Sequence, residues 1–256
     1  MKKAEKKSPL KEAPLRNPGQ SLDEEIDVLW NDKTFIYFFY IICFFCIAML
    51  DWLHWLTKTI SNPTLSTIGF ILVLCFCTFK IIQIKKQINQ LKLARDGEKI
   101  VGQFLDELRE DGARILHDIK GKNFNVDHVI ISEHGIFVVD TKTHRKPIKG
   151  DVRVRVDHDE VYVNNYLMER NPIKQCRALT KWIQDLLLES TGKQFPVRGV
   201  VVFPGWYVEP MTGKEDIWVL NNKALPTFIR NNALKLAKED VHLAFYHLSC
   251  YVRAIT

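Results

Sequence analysis

Two long apolar runs near the beginning of the chain dominate its hydrophobic pattern. Residues 35–50 form sixteen positions without a formal charge, and residues 65–79 form a second uncharged run whose apolar character continues to Ile82. A helix of roughly twenty mostly apolar residues spans a bilayer, so the pattern predicts a two-helix transmembrane hairpin over residues 34–82. A pair of buried core helices is the alternative. A cleaved signal peptide is excluded, because more than thirty residues precede the first run and no small-residue cleavage site follows it.

Basic residues lie on the outer sides of this hairpin. Six Lys or Arg side chains occur within residues 1–20 and five between Lys80 and Arg95, whereas the connection between the runs holds only Lys58. Cytoplasmic flanks of membrane helices carry an excess of basic residues, so the N-terminus and the long C-terminal part are both predicted to face the cytoplasm. Prolines among the charges of the first twenty residues predict a disordered tail over residues 1–33.

An amphipathic stripe follows the second run. Ile81, Ile84, Ile88 and Leu91 fall at heptad spacing, and no Gly or Pro interrupts the chain before Asp96. This spacing predicts a helical linker over residues 83–96 that continues the second span. Packing of the stripe against the soluble domain, or contact with the lipid surface, is favoured over a homodimer formed through residues 81–91, because four positions are few for a coiled coil.

The pattern changes from helical to alternating after residue 97. Residues 126–131 and 136–142 are rich in β-branched and aromatic side chains, and residues 132–135 between them have turn composition. A hairpin with this turn pairs Ile131 with Ile136. The alternation of each strand then gives an apolar face to the hairpin.

The same register brings charged side chains together at the end of that apolar face. It places Asp127 opposite Asp140, and directly opposed Cβ atoms lie roughly 4.5 to 5.5 Å apart. Lys142 follows Asp140 by two residues and therefore shares its face. Two carboxylates at this distance repel each other unless a cation lies between them, and Mg²⁺ takes one or two protein carboxylates together with water and phosphate oxygens. The sequence therefore predicts a Mg²⁺ or Mn²⁺ site at Asp127 and Asp140, with Lys142 as the catalytic cation.

Several motifs in one order resemble the nuclease-related domain family, a branch of the PD-(D/E)xK nucleases. The matching segments are Gly97-Glu98, Val126-Asp127-His128, Gly135 to Lys142, and Asn171 to Gln175. The resemblance covers residues 97–203, within a soluble domain over residues 97–256. It implies a restriction-endonuclease-like α/β core: a helix opened by Gly97-Glu98, three antiparallel strands, a second helix and a further strand, in a mixed sheet flanked by helices.

The resemblance also assigns the outer members of the site. Glu98 is expected to reach the metal directly or through water, and Gln175 is expected to position the nucleophile or a phosphate oxygen. A solvated Gln175, and a Glu98 placed only by a helix dipole, are the alternatives. The chain departs from the family at Asp140, where Glu is more frequent.

Basic residues cluster after the proposed centre. We expect them to contact nucleic acid, with Arg153 and Arg155 on one face of a strand; a charged edge strand explains these two arginines equally well. The predicted nucleic-acid-binding residues are Arg145, Lys146, Lys149, Arg153 and Arg155. Beyond Phe203, residues 217–220 are predicted as a strand, and residues 224–232 and 240–253 as helices.

The composition fits a membrane-tethered cytoplasmic domain. Without tail and hairpin about 170 residues remain, enough for one well-buried core. The six cysteines show no disulfide framework, since four of them lie in the apolar runs, so reduced thiols are expected. The sequence thus predicts a membrane-anchored, metal-dependent nuclease acting on DNA. The alternatives are a non-catalytic module that binds nucleic acid or nucleotide, and a membrane scaffold protein.

Overall fold

The chain folds into two compact units. The computed structural model describes residues 13–57, 62–147, 152–210 and 216–255. One unit consists of Ser21–Leu93, and the other combines Met1–Gln20 with Ala94–Thr256. The second unit is therefore formed by segments that precede and follow the first unit in the sequence.

The first unit is helical and mostly apolar on its surface. It contains most of helix α1 (Gln20–Asp27), a π-helical segment (Val28–Thr34), helix α2 (Phe35–Leu56) and the beginning of helix α3 (Pro63–Glu110). Two continuous helical stretches, Gln20–Leu56 and Pro63–Glu110, are long and apolar enough to cross a membrane by length and composition. The Trp52 indole donates a hydrogen bond to Thr67 Oγ1 at 3.0 Å, so α2 and α3 pack side by side as a hairpin.

Two expectations change in this unit. The disordered tail predicted over residues 1–33 is wrong where the structure describes it, because Arg16 is buried and α1 and the π-helical segment fill residues 20–34; residues 1–12 lie outside the described residues. Ile26 and Leu29 are buried against Ile88, with Ile84 and Leu91 packed beside them. The apolar stripe is thus covered by the chain's own N-terminal helix. The favoured alternatives were packing on the soluble domain or contact with the lipid surface, so this packing on residues 26–29 differs from both. The homodimer through residues 81–91 stays a prediction.

The second unit is built on a five-stranded mixed sheet. Strands β1 (Arg114–Lys120), β2 (Asn125–Ser132) and β3 (Gly135–Thr141) are antiparallel, and β7 (Val197–Val202) and β9 (Ile217–Leu220) continue the sheet in parallel. The order is β1-β2-β3-β7-β9. Helix α4 (Pro172–Thr191) connects β3 to β7, as the parallel pairing of these strands requires.

Both faces of this sheet are buried. One face packs on α4 and α6 (Lys238–Ala254) through Val129, Ile131, Ile136 and Val138, the apolar face predicted for the hairpin. The other face packs on the end of α3 and on α5 (Leu225–Arg230). The result is the predicted α/β core with helices on either side of a mixed sheet, and the strand and helices predicted beyond Phe203 are confirmed.

A second, smaller sheet is inserted between β3 and α4. Strands β4 (Arg153–Asp157), β5 (Glu160–Val163) and β6 (Tyr166–Leu167) pair in antiparallel fashion, and β8 (Tyr207–Val208) joins β4 in parallel. Its inner side chains pack with residues of α4 and β7. This sheet therefore covers the part of the core beside the beginning of α4.

The prediction that Gly97-Glu98 opens a helix is wrong. Helix α3 begins at Pro63 and runs through both residues. The glycine has another role: a Cβ atom built at Gly97 would lie 1.8 Å from Thr143 Oγ1. Gly97 therefore lets the chain that follows β3 approach the helix backbone directly before Glu98.

We expect Gly97→Ala to destabilise the unit that contains the five-stranded sheet by about 1 to 3 kcal/mol, the usual cost of overpacking a closed contact. Thermal unfolding of the full-length protein in detergent measures this. Gly69→Ala is the matched control, because Gly69 lies in the same helix with no atom within 4 Å of its added Cβ. Equal midpoints for the two variants would contradict the close contact with Thr143.

Candidate active site

Strands β2 and β3 bring Asp127, Asp140 and Lys142 together. The hairpin pairs Ile131 with Ile136 and His128 with Val139, so the predicted register is confirmed and Asp127 follows opposite Asp140. The Lys142 Nζ donates to Asp140 Oδ1 at 2.9 Å and lies 2.8 Å from Oδ2. The backbone N–H of Thr141 donates to Asp127 Oδ2 at 2.7 Å. The acid pair and the lysine therefore occupy one end of the central strands.

Helix α4 contributes Gln175 to this cluster. The Lys142 Nζ also donates to Gln175 Oε1 at 3.1 Å, so the lysine connects strand β3 with the helix. The helix begins at a fixed point, since the Asn171 side chain accepts from the N–H groups of Ile173 and Lys174. An Asn cap followed by Pro172 at the first helical position is a strong start signal in the sequence. Gln175 thus lies one turn inside a well-capped helix.

Glu98 reaches the same region from α3. Its side chain is only 5% exposed, and its Oε2 atom is buried without a hydrogen-bond partner. Because the helix begins far upstream at Pro63, a helix dipole does not account for this acid. A buried carboxylate oxygen without a partner is costly in a folded protein. Such an atom is available to an incoming cation.

Burial and mutual repulsion raise the pKa values of these acids. Burial, followed by repulsion from Asp127, Asp118 and Asp140, raises the pKa of Glu98 to about 9. Burial and the nearby Asp140 raise the pKa of Asp127 to about 7, against the opposing pull of Lys142 and the Thr141 N–H. Burial also raises the pKa of Asp140, and Lys142 again opposes it. Lys142 and the Thr141 N–H therefore do not offset the cost of burying these charges.

This donor set fits a divalent cation that brings its own water and phosphate ligands. Among the described residues, no group of three or more His, Cys, Asp or Glu side chains is placed so that it could hold a metal ion by itself. Mg²⁺ typically keeps several waters and uses one or two carboxylates plus substrate oxygens. Asp127 and Asp140 supply two carboxylates, and the unpartnered Glu98 oxygen supplies a third group within electrostatic reach of both. A compact zinc-type cage is not the arrangement seen here.

Sequence reasoning missed two groups beside the site. Asp118 on β1 is fully buried, and its carboxylate is bound by Arg16 and Asn125. His117 and His128 form a buried pair with their Nδ1 atoms 2.8 Å apart, and burial is the main cause that lowers both pKa values. A charged residue inside an apolar strand was a usable signal for Asp118. No sequence signal pointed to Arg16, because it lies 102 positions away from its partner.

Some of the predicted nucleic-acid-binding residues are exposed, and others already contact protein groups. Arg153 and Arg155 project from the same exposed face of β4, as predicted from the alternation. Arg153 is paired with Glu209 at 2.9 Å, and Lys146 donates to the Gly205 carbonyl. Arg155 lies over the Tyr162 ring at 5.0 Å, and Arg145 is exposed. Lys149 falls outside the described residues.

Comparison with known proteins identifies the folded core. Residues 93–204 match the family model of the nuclease-related domain, so the chain contains such a domain, as its motifs indicated. A stretch of 72 residues is 33% identical to an uncharacterized protein of Bacillus anthracis and covers 26% of this chain and 34% of that protein. The chain thus spans about a third of the length of this curated relative. No solved structure matches the chain.

The raised pKa of Glu98 predicts a pH-dependent stability in the presence of a chelator. In the folded state Glu98 holds its proton up to about pH 9, whereas an unfolded glutamate loses it near pH 4.3. The folded state therefore binds more protons between these values, and the free energy of unfolding falls as the pH rises through this window. Thermal unfolding in chelator between pH 5 and pH 9 measures the fall.

The glutamine in Glu98→Gln has no carboxyl group to titrate. We therefore expect the melting temperature of this variant to decline less with pH than that of the parent. Glu107→Gln, an exposed acid on the same helix, is the control and should keep the parent's slope. A Glu98→Gln slope equal to that of the parent would contradict the buried, protonated carboxyl.

Proposed function

We propose that this protein is a membrane-anchored, metal-dependent nuclease that hydrolyses phosphodiester bonds of DNA. One observation carries the proposal: Lys142 Nζ bridges Asp140 on the central strand and Gln175 on α4. This bridge lies at the end of a hairpin that also carries Asp127, within electrostatic reach of Glu98. Acids, a lysine and a glutamine in this order support the chemistry implied by a nuclease-related domain.

Asp127, Asp140 and Glu98 are the residues proposed to hold Mg²⁺ or Mn²⁺. Burial is the largest cause of the raised pKa values of all three acids, and repulsion between carboxylates adds to it at Glu98 and Asp127. A divalent cation held by these residues would take the place of their protons. When bound, such an ion polarises a phosphoryl oxygen and lowers the pKa of water. The resemblance implies Glu more often at the position of Asp140, and the Asp side chain is one methylene shorter.

Lys142 is the proposed catalytic cation. An ammonium supplies a compact charge and three donors, which suits a phosphate that gains negative charge during attack. Two of these donors are already directed to Asp140 and Gln175, so the third can point to the substrate. Gln175 holds the lysine from the helix side and presents its own amide N–H groups for a phosphate oxygen or the attacking water.

The substrate is proposed to be recognised through its backbone. Exposed Arg145 and Arg155 provide positive charge in the segment that follows Lys142. Such contacts attract phosphates without reading base edges. We therefore expect little sequence preference.

The bilayer is the proposed second partner. The apolar faces of α2 and of α3 before residue 83 carry the anchor, and the basic flanks favour a cytoplasmic position for both the N-terminus and the nuclease unit. This arrangement restricts cleavage to nucleic acid close to the membrane.

A non-catalytic binding module is the second candidate. It is favoured by one observation: among the described residues no three acidic, His or Cys side chains form a ready metal ligand set. A module of this kind would bind nucleic acid through the same basic residues but leave the backbone intact.

Activity tests the proposal directly. We expect the full-length protein in detergent to nick supercoiled plasmid DNA with Mg²⁺ or Mn²⁺ and to lose the activity with chelator. Asp140→Ala and Lys142→Ala should each lower the rate by at least about 100-fold, because each removes charge stabilisation from the transition state. RNA of equal length, assayed in parallel, tests the choice of DNA.

Lys181→Ala provides the matched control. Lys181 lies on α4 like Gln175, but its ammonium pairs at 2.7 Å with Asp185 on the solvent side. We expect this variant to cleave like the parent. Parent protein that binds DNA without cutting it would favour the binding module, and cleavage retained in both site variants would remove the proposed mechanism.

Reporter fusions test the membrane arrangement. We expect the protein to resist alkaline extraction, a C-terminal green fluorescent protein to be fluorescent, and a C-terminal alkaline phosphatase to be inactive in a bacterial host. A phosphatase fused after Asn62, between α2 and α3, should be active. Active phosphatase at the C-terminus would contradict a cytoplasmic nuclease unit.

A further inference from the structure

The segment before the apolar helices is packed into the nuclease unit. Arg16 donates from Nε to Asp118 Oδ2 at 2.7 Å. The Arg16 side chain is 2% exposed and the Asp118 side chain is 0% exposed, so the pair is closed off from solvent. A buried ion pair of this kind needs close geometry, since both charges have lost their hydration.

The same segment touches α3 on two successive turns. The backbone N–H of Gly19 donates to the Glu98 carboxyl and favours its charged form. One turn later, a Cβ atom at Gly102 would lie 2.7 Å from the Cγ of Pro18. The helix therefore lacks a side chain where the segment crosses it. This crossing fixes the segment next to the proposed metal-binding Glu98.

Asp118 connects the segment to the strands of the site. The pairs His117–His128 and Ile119–Val126 flank it, which places Asp118 across from Asp127. Its backbone has φ of 51°, an unfavourable value for a non-glycine residue inside a strand. Arg16 and Asn125 hold the carboxylate in this conformation. Strained residues kept in place by their surroundings are frequent at functional sites.

We propose that residues 15–20 are part of the nuclease centre, with Arg16 and Asp118 as positioning residues that hold Glu98 and Asp127 for the metal. This inference rests on the proposed nuclease function. It makes the centre larger than the matched domain, because Arg16 lies outside residues 93–204. A related chain could therefore carry all the motif residues and still lack a complete site, if it has no counterpart of residues 15–20.

The experiment removes the buried pair as a unit. In Arg16→Met/Asp118→Asn, no charge is left unpaired, so the full-length protein is expected to keep its melting temperature. Mn²⁺ binding in detergent, followed by electron paramagnetic resonance, and the kcat and KM of DNA cleavage are then measured. We expect Mn²⁺ affinity and kcat each to fall about 10- to 100-fold, the usual effect of removing groups that orient metal ligands, with KM nearly unchanged.

A second Arg–Asp pair supplies the control. Arg230 Nε and Asp111 Oδ2 are also 2.7 Å apart, but their side chains are 45% and 44% exposed. Arg230→Met/Asp111→Asn should bind Mn²⁺ and cleave like the parent. Arg16→Lys retains the charge and should recover part of the lost kcat.

The outcomes separate this inference from the proposed function. A folded Arg16→Met/Asp118→Asn variant with parental Mn²⁺ affinity and kcat would overturn the inference while the nuclease function stands. If that variant does not fold, Arg16→Lys decides: reduced Mn²⁺ affinity at an unchanged melting temperature supports the inference, and parental affinity overturns it. A parent that binds Mn²⁺ without cutting DNA refutes the nuclease function alone, whereas a parent that binds no Mn²⁺ refutes both.

Discussion

The burial of several carboxylates at one end of a hairpin is the constraint on which this structure depends. Asp127 and Asp140 lie on the two paired strands, Glu98 on the helix that covers them, and Asp118 on the adjacent strand. All four are less than 9% exposed. Like charges held in a region of low dielectric repel strongly. The fold tolerates them only with internal cations, bound protons or an added ion.

Two internal cations from distant parts of the sequence meet this constraint. Lys142 follows β3 and is held close to Asp140 by the strand itself. Arg16 precedes the two long apolar helices and binds Asp118 from outside the matched domain. Burial, together with the remaining repulsion between the acids, still raises the pKa values of Glu98 and Asp127. The same acidic and basic side chains therefore determine both the charge balance of the buried site and its raised pKa values.

Helix α3 combines two different segments in one element. Its first part is long and apolar enough to cross a membrane by length and composition, whereas its last turns bury Val101, Leu105 and Leu108 against the sheet. Gly97 precedes these turns and Gly102 lies within them, and both lack the side chains that would block Thr143 and Pro18. The position of Glu98 is set by these close approaches and not by the start of a helix.

The sequence by itself determined the features that depend on local periodicity. Alternation and turn composition were enough for the β2–β3 register, and with it for the meeting of Asp127, Asp140 and Lys142. The Asn171-Pro172 start of α4 likewise has a local cause, and motif order gave its fourth residue, Gln175, a place in the site. Long uncharged runs were sufficient to predict two helices able to cross a membrane.

Only the tertiary structure decided the contacts between distant segments. Residues 20–34 are polar in composition, yet Ile26 and Leu29 make them helical by packing on the stripe of α3. Arg153 and Lys146 looked free in the sequence, but Glu209 and the Gly205 carbonyl engage them. In the sequence, Arg16 is one of several charged residues in a tail, and only the structure shows that it contacts Asp118. Periodicity in the sequence predicts only which face of its own helix or strand a residue occupies. A buried ion pair between residues 102 positions apart depends instead on how distant segments pack in the folded chain.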